Sequence, residues 1–158
     1  VDESIETVRK IGEKLNLKGV QLHANEDERY IEQLKIKLPN TLIIKALAIA
    51  TKEDLVHLNR FDKLVDLFIF DTKGRLPGGN GIQFDWNILS EYKGTIPFLL
   101  SGGIGPSDID AIRNFKKQLN HPQFVGVDLN SKFEDLPGVK NVEKLTNFVS
   151  SLKNEAWL

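Results

Sequence analysis

"LLSGGIGPSDID" (Leu99–Asp110) holds three structural events in one short stretch. An apolar run ends at Ser101. Gly102 and Gly103 follow, where a missing Cβ lets the backbone turn sharply or approach a ligand. Pro106 then precedes Ser107, which with Asp110 three residues on resembles a helix N-cap and its acidic partner. Strand, glycine turn and helix make one βα unit. The fold depends on whether that unit recurs.

It does recur. "GVQLH" (19–23), "LIIKALAI" (42–49), "LFIFD" (67–71), "PFLLSGG" (97–103) and "FVGVDL" (124–129) start 23 to 30 residues apart. Most are near-continuous apolar runs, the pattern of parallel strands buried on both faces. Between them lie stripes at helical spacing: Ile5, Val8, Ile11 and Leu15; Ile109, Ile112, Phe115 and Leu119; Val142, Leu145, Phe148, Val149 and Leu152. Thr51 with Asp54, and Asp85 before "WNIL", read as further caps. No low-complexity segment or linker interrupts the array, so residues 1–158 are expected to form a single domain.

Composition narrows the function. The 158 residues are 41% hydrophobic, enough for a sizeable core. A net charge of -1 gives no bulk pull toward nucleic acid or an anionic membrane. No apolar stretch approaches the roughly 18 to 20 residues of a membrane span, and no secretory signal opens the chain. A cytoplasmic protein without nucleic-acid or membrane partners is expected. Cysteine is absent, which removes disulfides, thiolate metal sites and a Cys nucleophile from this stretch. His23, His57 and His121 share no metal-ligand spacing, so no metal is expected; His57 and His121 read as surface residues. Methionine is absent even at position 1, from which a longer natural protein is expected.

Two architectures fit repeated βα units: an open doubly wound sheet and part of a (βα)8 barrel. The barrel is favoured. Polar residues gather at the C-terminal ends of the strands (His23, Asp71, Ser101, Asp128, Asn130), and the last two strands are each followed by a loop suited to phosphate. Gly102 and Gly103 admit either an anion-binding turn or a tight βα turn. Asn130 and Ser131 admit either a ligand contact or an ordinary polar turn. Asp71 ends an apolar run; partial desolvation would favour its protonated form and suit a general acid, whereas a helix cap or an ion pair with Lys73 or Arg75 is the structural alternative. Gln21 and His23 alternate along one strand and so point the same way. Lys45 interrupts an apolar run and needs either a buried partner or the site cavity.

Taken in order, "GVQLHANE" (19–26), "IIKA" (43–46), "FIFDTKG" with "GGNG" and "FDW" (68–86), "FLLSGGIGPSDI" (98–109) and "GVDLNSKFE" (126–134) resemble the phosphoribosylanthranilate isomerase family of tryptophan biosynthesis. The resemblance spans nearly the whole chain. It implies a (βα)8 TIM barrel, here an incomplete one of about five and a half βα units forming the C-terminal part. It implies an Amadori rearrangement of N-(5-phosphoribosyl)anthranilate to 1-(2-carboxyphenylamino)-1-deoxyribulose 5-phosphate, without cofactor or metal. A general acid opens the ribose ring and a general base removes the C2 proton. Asp71 matches the acid. Gly102, Gly103, Asn130 and Ser131 match the phosphate site. Gln21, His23 and Asp128 would line the pocket. The expected assembly is a monomer or homodimer acting on a small phosphorylated substrate.

Departures from the family pattern carry expectations of their own. The family's base is a Cys on its first strand, and this sequence contains none. By motif alignment the first two strands and an Arg after the second are missing, and Val1–Asp2 match the tail of the third. The 158 residues alone are therefore expected to be inactive and prone to associate. Family "QLHG" and "GGTG" are "QLHA" (Ala24) and "GGNG" (Asn80) here. A lyase of the same pathway, indole-glycerol-phosphate synthase, and a non-catalytic phosphate-binding partial barrel are the alternatives.

Overall fold

Five strands hydrogen-bond in chain order into one parallel sheet: β1 (Gly19–Leu22), β2 (Leu42–Ile49), β3 (Leu67–Thr72), β4 (Phe98–Leu100) and β5 (Phe124–Val127). The computed structural model describes residues 2–72 and 84–153. Among these residues β1 and β5 remain the edges, so the sheet does not close. The glycine loop "GGNG", Lys73 and Arg75 lie outside the described residues.

Helices cover one face. α1 (Ile5–Leu15) is capped by Ser4, whose side chain accepts from the Thr7 N–H; α2 (Glu28–Lys37) is capped by Asp27 in the same way from Tyr30. α3 (Ile109–Leu119) and α4 (Val142–Lys153) complete the α layer. Among the described residues, the connections after β2 and β3 contain short 3₁₀ turns, Lys52–Leu55, Leu58–Phe61 and Trp86–Glu91. Asp54 accepts from the N–H groups of Ala50 and Thr51, and Asp85 accepts from Asn87 N–H, as their spacing predicts. The expected Ser107 cap is different. Pro106 opens a 3₁₀ turn (Pro106–Asp108) ahead of α3, and Asp108 reaches back to the Gly105 N–H at 2.7 Å. The proline-fixed φ starts the turn two residues earlier than a Ser107 cap implies.

The core sits between sheet and helices, and it is aromatic. Register places Phe68 opposite Phe98, and Phe98 opposite Phe124, in one row across three strands. Phe98 and Phe124 rings stand 5.6 Å apart, Phe70 and Phe98 4.8 Å, and Tyr92 meets Phe70 edge-on at 5.3 Å. Phe115 from α3 meets Phe124 edge-on at 5.1 Å, and Phe148 from α4 meets Phe133 at 4.9 Å; Ile112 and Leu152 are buried in the same cluster. The stripe on α1 is less covered than its spacing predicts: Ile11 is 48% exposed and Leu15 61%. His121, expected at the surface, is half-buried. Its Nε2 bonds the Tyr92 carbonyl at 2.8 Å, and its ring stacks on Tyr92. A hairpin, β6 (Glu134–Leu136) with β7 (Val139–Lys140), follows β5 and had no alternating pattern to announce it. Among the described residues no helix is long and apolar enough to cross a membrane.

Candidate active site

Strand parity builds the site. In β2 and β3, Ile43, Ile49, Phe68 and Phe70 face the helices, and the alternate residues face the other way. Ala46 pairs with Ile69, and Ala48 with Asp71, which puts Asp71 on the non-helical face at the C-terminal end of its strand. Gln21 and His23 reach the same face from β1 and the residue following it. A cavity of about 300 Å³ opens there. Its walls include Gln21, His23, Asp71, Asp128 and, from two successive loops, Gly102–Gly103 and Asn130–Ser131. All eight candidates share one cavity.

Asp128 gets there through an irregularity. Phe98 pairs with Phe124, but Leu99 pairs with Gly126, so β5 carries one extra residue, Val125. The bulge reverses the strand's parity beyond it. Phe124 therefore stays with the aromatic core, while Asp128 turns to the cavity. There its Oδ2 accepts from Ser101 Oγ at 2.9 Å. Ser101 is 7% exposed and lines the same cavity. Sequence reasoning noted Ser101 only as a polar strand end; its place before the glycine pair was the available signal.

Asp71 keeps 28% of its side chain exposed. Its Oδ1 accepts from the Thr72 N–H at 2.8 Å, and its Oδ2 stands 4.0 Å from His23 Nε2. One carboxylate oxygen is thus held by backbone, and the other is left beside the imidazole. Gly102 packs directly against this carboxylate. A Cβ at position 102 would lie 2.8 Å from Asp71 Oδ1 and 2.6 Å from Thr72 N, and would collide with Thr72 Oγ1. The backbone φ of +92° at Gly102 is equally closed to other residues. Candidate acid and candidate anion loop therefore touch through a position that only glycine fits.

Lys45 finds a buried partner and not the site. It faces the helix side, 2% exposed, and donates to Glu26 Oε2 at 2.8 Å and to the Ala24 carbonyl at 2.6 Å. Glu26 also accepts from the Ala24 N–H. Burial pushes the Glu26 carboxyl upward, but hydrogen bonds from Lys45 and from backbone N–H groups outweigh it and hold the group below its ordinary range. The pair pins the loop after His23. Ala24 is not among the residues with positive φ, so alanine is accommodated in place of the family's glycine. His57 is exposed at a positive φ, away from the cavity. No group of three or more His, Asp or Glu side chains able to hold a metal ion occurs among the described residues.

Comparisons with known proteins identify the family. The chain is 44% identical to the N-(5'-phosphoribosyl)anthranilate isomerase of Parabacteroides distasonis over 156 residues, 99% of this chain and 68% of that protein. It is 36% identical to the Phocaeicola vulgatus isomerase, covering 98% and 73%. It is 38% identical to the tryptophan biosynthesis protein TrpCF of Helicobacter pylori, covering 97% of this chain and 31% of that longer protein. Among solved structures, phosphoribosyl anthranilate isomerase from Thermus thermophilus superposes with a TM-score of 0.72 over 97% of this chain and 69% of that one, at 24% identity. That likeness places the open sheet in the TIM-barrel class as an incomplete barrel. The model of the N-(5'phosphoribosyl)anthranilate isomerase family matches residues 1–151, and the chain belongs to that family.

Proposed function

We propose that the chain acts as its relatives are named, isomerising N-(5'-phosphoribosyl)anthranilate in tryptophan biosynthesis, with Asp71 as general acid. The reading rests above all on one observation: a single cavity gathers Asp71, the glycine loop and the Asn130–Ser131 loop from successive strand ends. The substrate phosphate sits on the N–H groups of Gly102 and Gly103 and on Asn130 and Ser131. Gln21, His23 and Asp128 line the sugar. Asp71, as general acid, gives a proton to the ribose ring oxygen from the carboxyl oxygen not bound to Thr72, and the ring opens to a Schiff base. Removal of the C2 proton and reprotonation elsewhere then give the 1-amino-1-deoxyketose. A thiol base would have to come from outside these residues, since the sequence has no cysteine. The enzyme works in the cytoplasm on a small phosphorylated substrate, without nucleic acid, cofactor or metal, as a monomer or homodimer. One structural neighbour, from Thermotoga maritima, is itself described as monomers generated from a dimeric isomerase.

The test is turnover by the full-length gene product with and without Asp71→Asn. General acid catalysis contributes about 10² to 10⁴ in rate, and the variant should lose that much kcat with its fold intact. Retained kcat would overturn the assignment of Asp71.

A further inference from the structure

The β6–β7 hairpin lies outside the cavity, yet one of its side chains reaches the cavity rim. Lys140 Nζ donates to Asn130 Oδ1 at 2.5 Å and to Glu134 Oε1 at 2.5 Å. The hydrogen bond from Lys140 holds the Glu134 carboxyl below its ordinary range. Register supports the contact, since Glu134 and Lys140 are direct partners across the hairpin.

Asn130 is where this matters. A primary amide is two-faced: its oxygen accepts and its NH2 group donates twice. An ammonium can only donate, so Lys140 claims the oxygen. With the oxygen turned to the lysine, the NH2 group at the other end of the amide is free to face another partner, and an anion requires donors. Charge points the same way. The described residues lining the cavity include two carboxylates, Asp71 and Asp128, and neither lysine nor arginine. Lys140 stands one amide behind that lining. Lys132, on the same loop, instead lays its stem on Gly105, with Cβ and Cγ 3.3 and 3.5 Å from where a Cβ there would be.

We propose that Lys140 is a positioning residue of the anion site: it turns the Asn130 amide donor-side toward a bound phosphate and sets a positive charge directly behind it. This rests on the reading of Gly102, Gly103, Asn130 and Ser131 as the phosphate site. The hairpin is the support that brings the lysine to the loop, with Glu134 its cross-strand neighbour.

The experiment titrates the full-length protein with inorganic phosphate and follows the Asn130 side-chain NH2 resonances and the hairpin backbone amides by NMR. In the wild type the Asn130 NH2 signals should shift saturably. Lys140→Met should weaken phosphate binding about tenfold, the size of one charge-assisted hydrogen bond, and Lys140→Arg should restore most of it. Glu134→Gln, which keeps the lysine, should bind within about twofold of wild type, and Lys132→Met should cost less than Lys140→Met. Unchanged affinity in Lys140→Met would overturn the proposal. So would an equal loss in Glu134→Gln, which would assign the effect to hairpin folding, or an equal loss in Lys132→Met, which would assign it to overall charge. Wild-type binding with silent Asn130 NH2 signals defeats this proposal alone. Failure of the wild type to bind phosphate removes the site reading and this proposal with it.

Discussion

Glu26 and Lys45 illustrate how a buried charge is tolerated: each is almost fully enclosed, and together they share hydrogen bonds with both polar groups of Ala24. Glu26→Ala would leave the ammonium buried without its counter-charge and should cost about 3–5 kcal/mol in chemical denaturation. Glu26→Ala combined with Lys45→Met should be distinctly milder, and equal destabilisation of single and double variants would show that the pair is not coupled. The pH dependence has a definite sign. The Glu26 carboxyl is held below its ordinary value of 4.5, so its contribution is present above that pH and disappears as pH falls through the lower folded value. A denaturant series from pH 7 down to pH 3 should show this loss, and Glu26→Ala should flatten it. Gly102 makes the second prediction at this scale. Gly102→Ala should lower both Tm and phosphate affinity, because the new methyl meets Thr72 and Asp71 at a backbone angle alanine disfavours. Wild-type Tm and binding in that variant would contradict the close approach of the two loops.

At the scale of elements, the aromatic row carries the sheet. Phe98 is fully buried at its centre, touching Phe70, Phe124, Tyr92 and His121. Phe98→Ala should cost about 3–5 kcal/mol, a loss readable as a lower denaturation midpoint, whereas Phe98→Leu should recover much of it. A cost below about 1 kcal/mol would mean the row packs loosely. These strands were legible because both their faces are apolar and their spacing repeats. The Pro106–Asp108 turn and the β6–β7 hairpin were less so: the former looked like the start of α3, and the latter alternates too weakly to stand out from a loop. The 3₁₀ turns after β2 and β3 leave no long helical stripe to detect.

For the whole molecule, an unclosed sheet has consequences. β1 and β5 present unpaired backbone edges among the described residues, and Ile11, Leu15 and Val125 are exposed apolar side chains near the ends of the array. Open strand edges template association. The 158-residue chain should therefore sediment as a concentration-dependent mixture between about 1 and 100 µM, a range where weak edge pairing is populated. A single monomeric species throughout would show that the edges are protected.

By itself the sequence determined the repeated βα order and the parallel sheet, because apolar periodicity and glycine punctuation are local properties that each segment carries alone; the eight candidate residues stood out as polar or glycine positions at strand ends, and only the family resemblance joined them into one site. Tertiary structure decided where side chains point. Counting by twos from Phe124 sends Asp128 toward the helices; the extra residue at Val125, recognisable only from pairing with β4, returns it to the cavity beside Ser101. Lys45 likewise read as a charge without a home until the loop after β1 brought Glu26 over it. Which face a residue occupies depends on the register of its neighbours, and register is a property of two strands together.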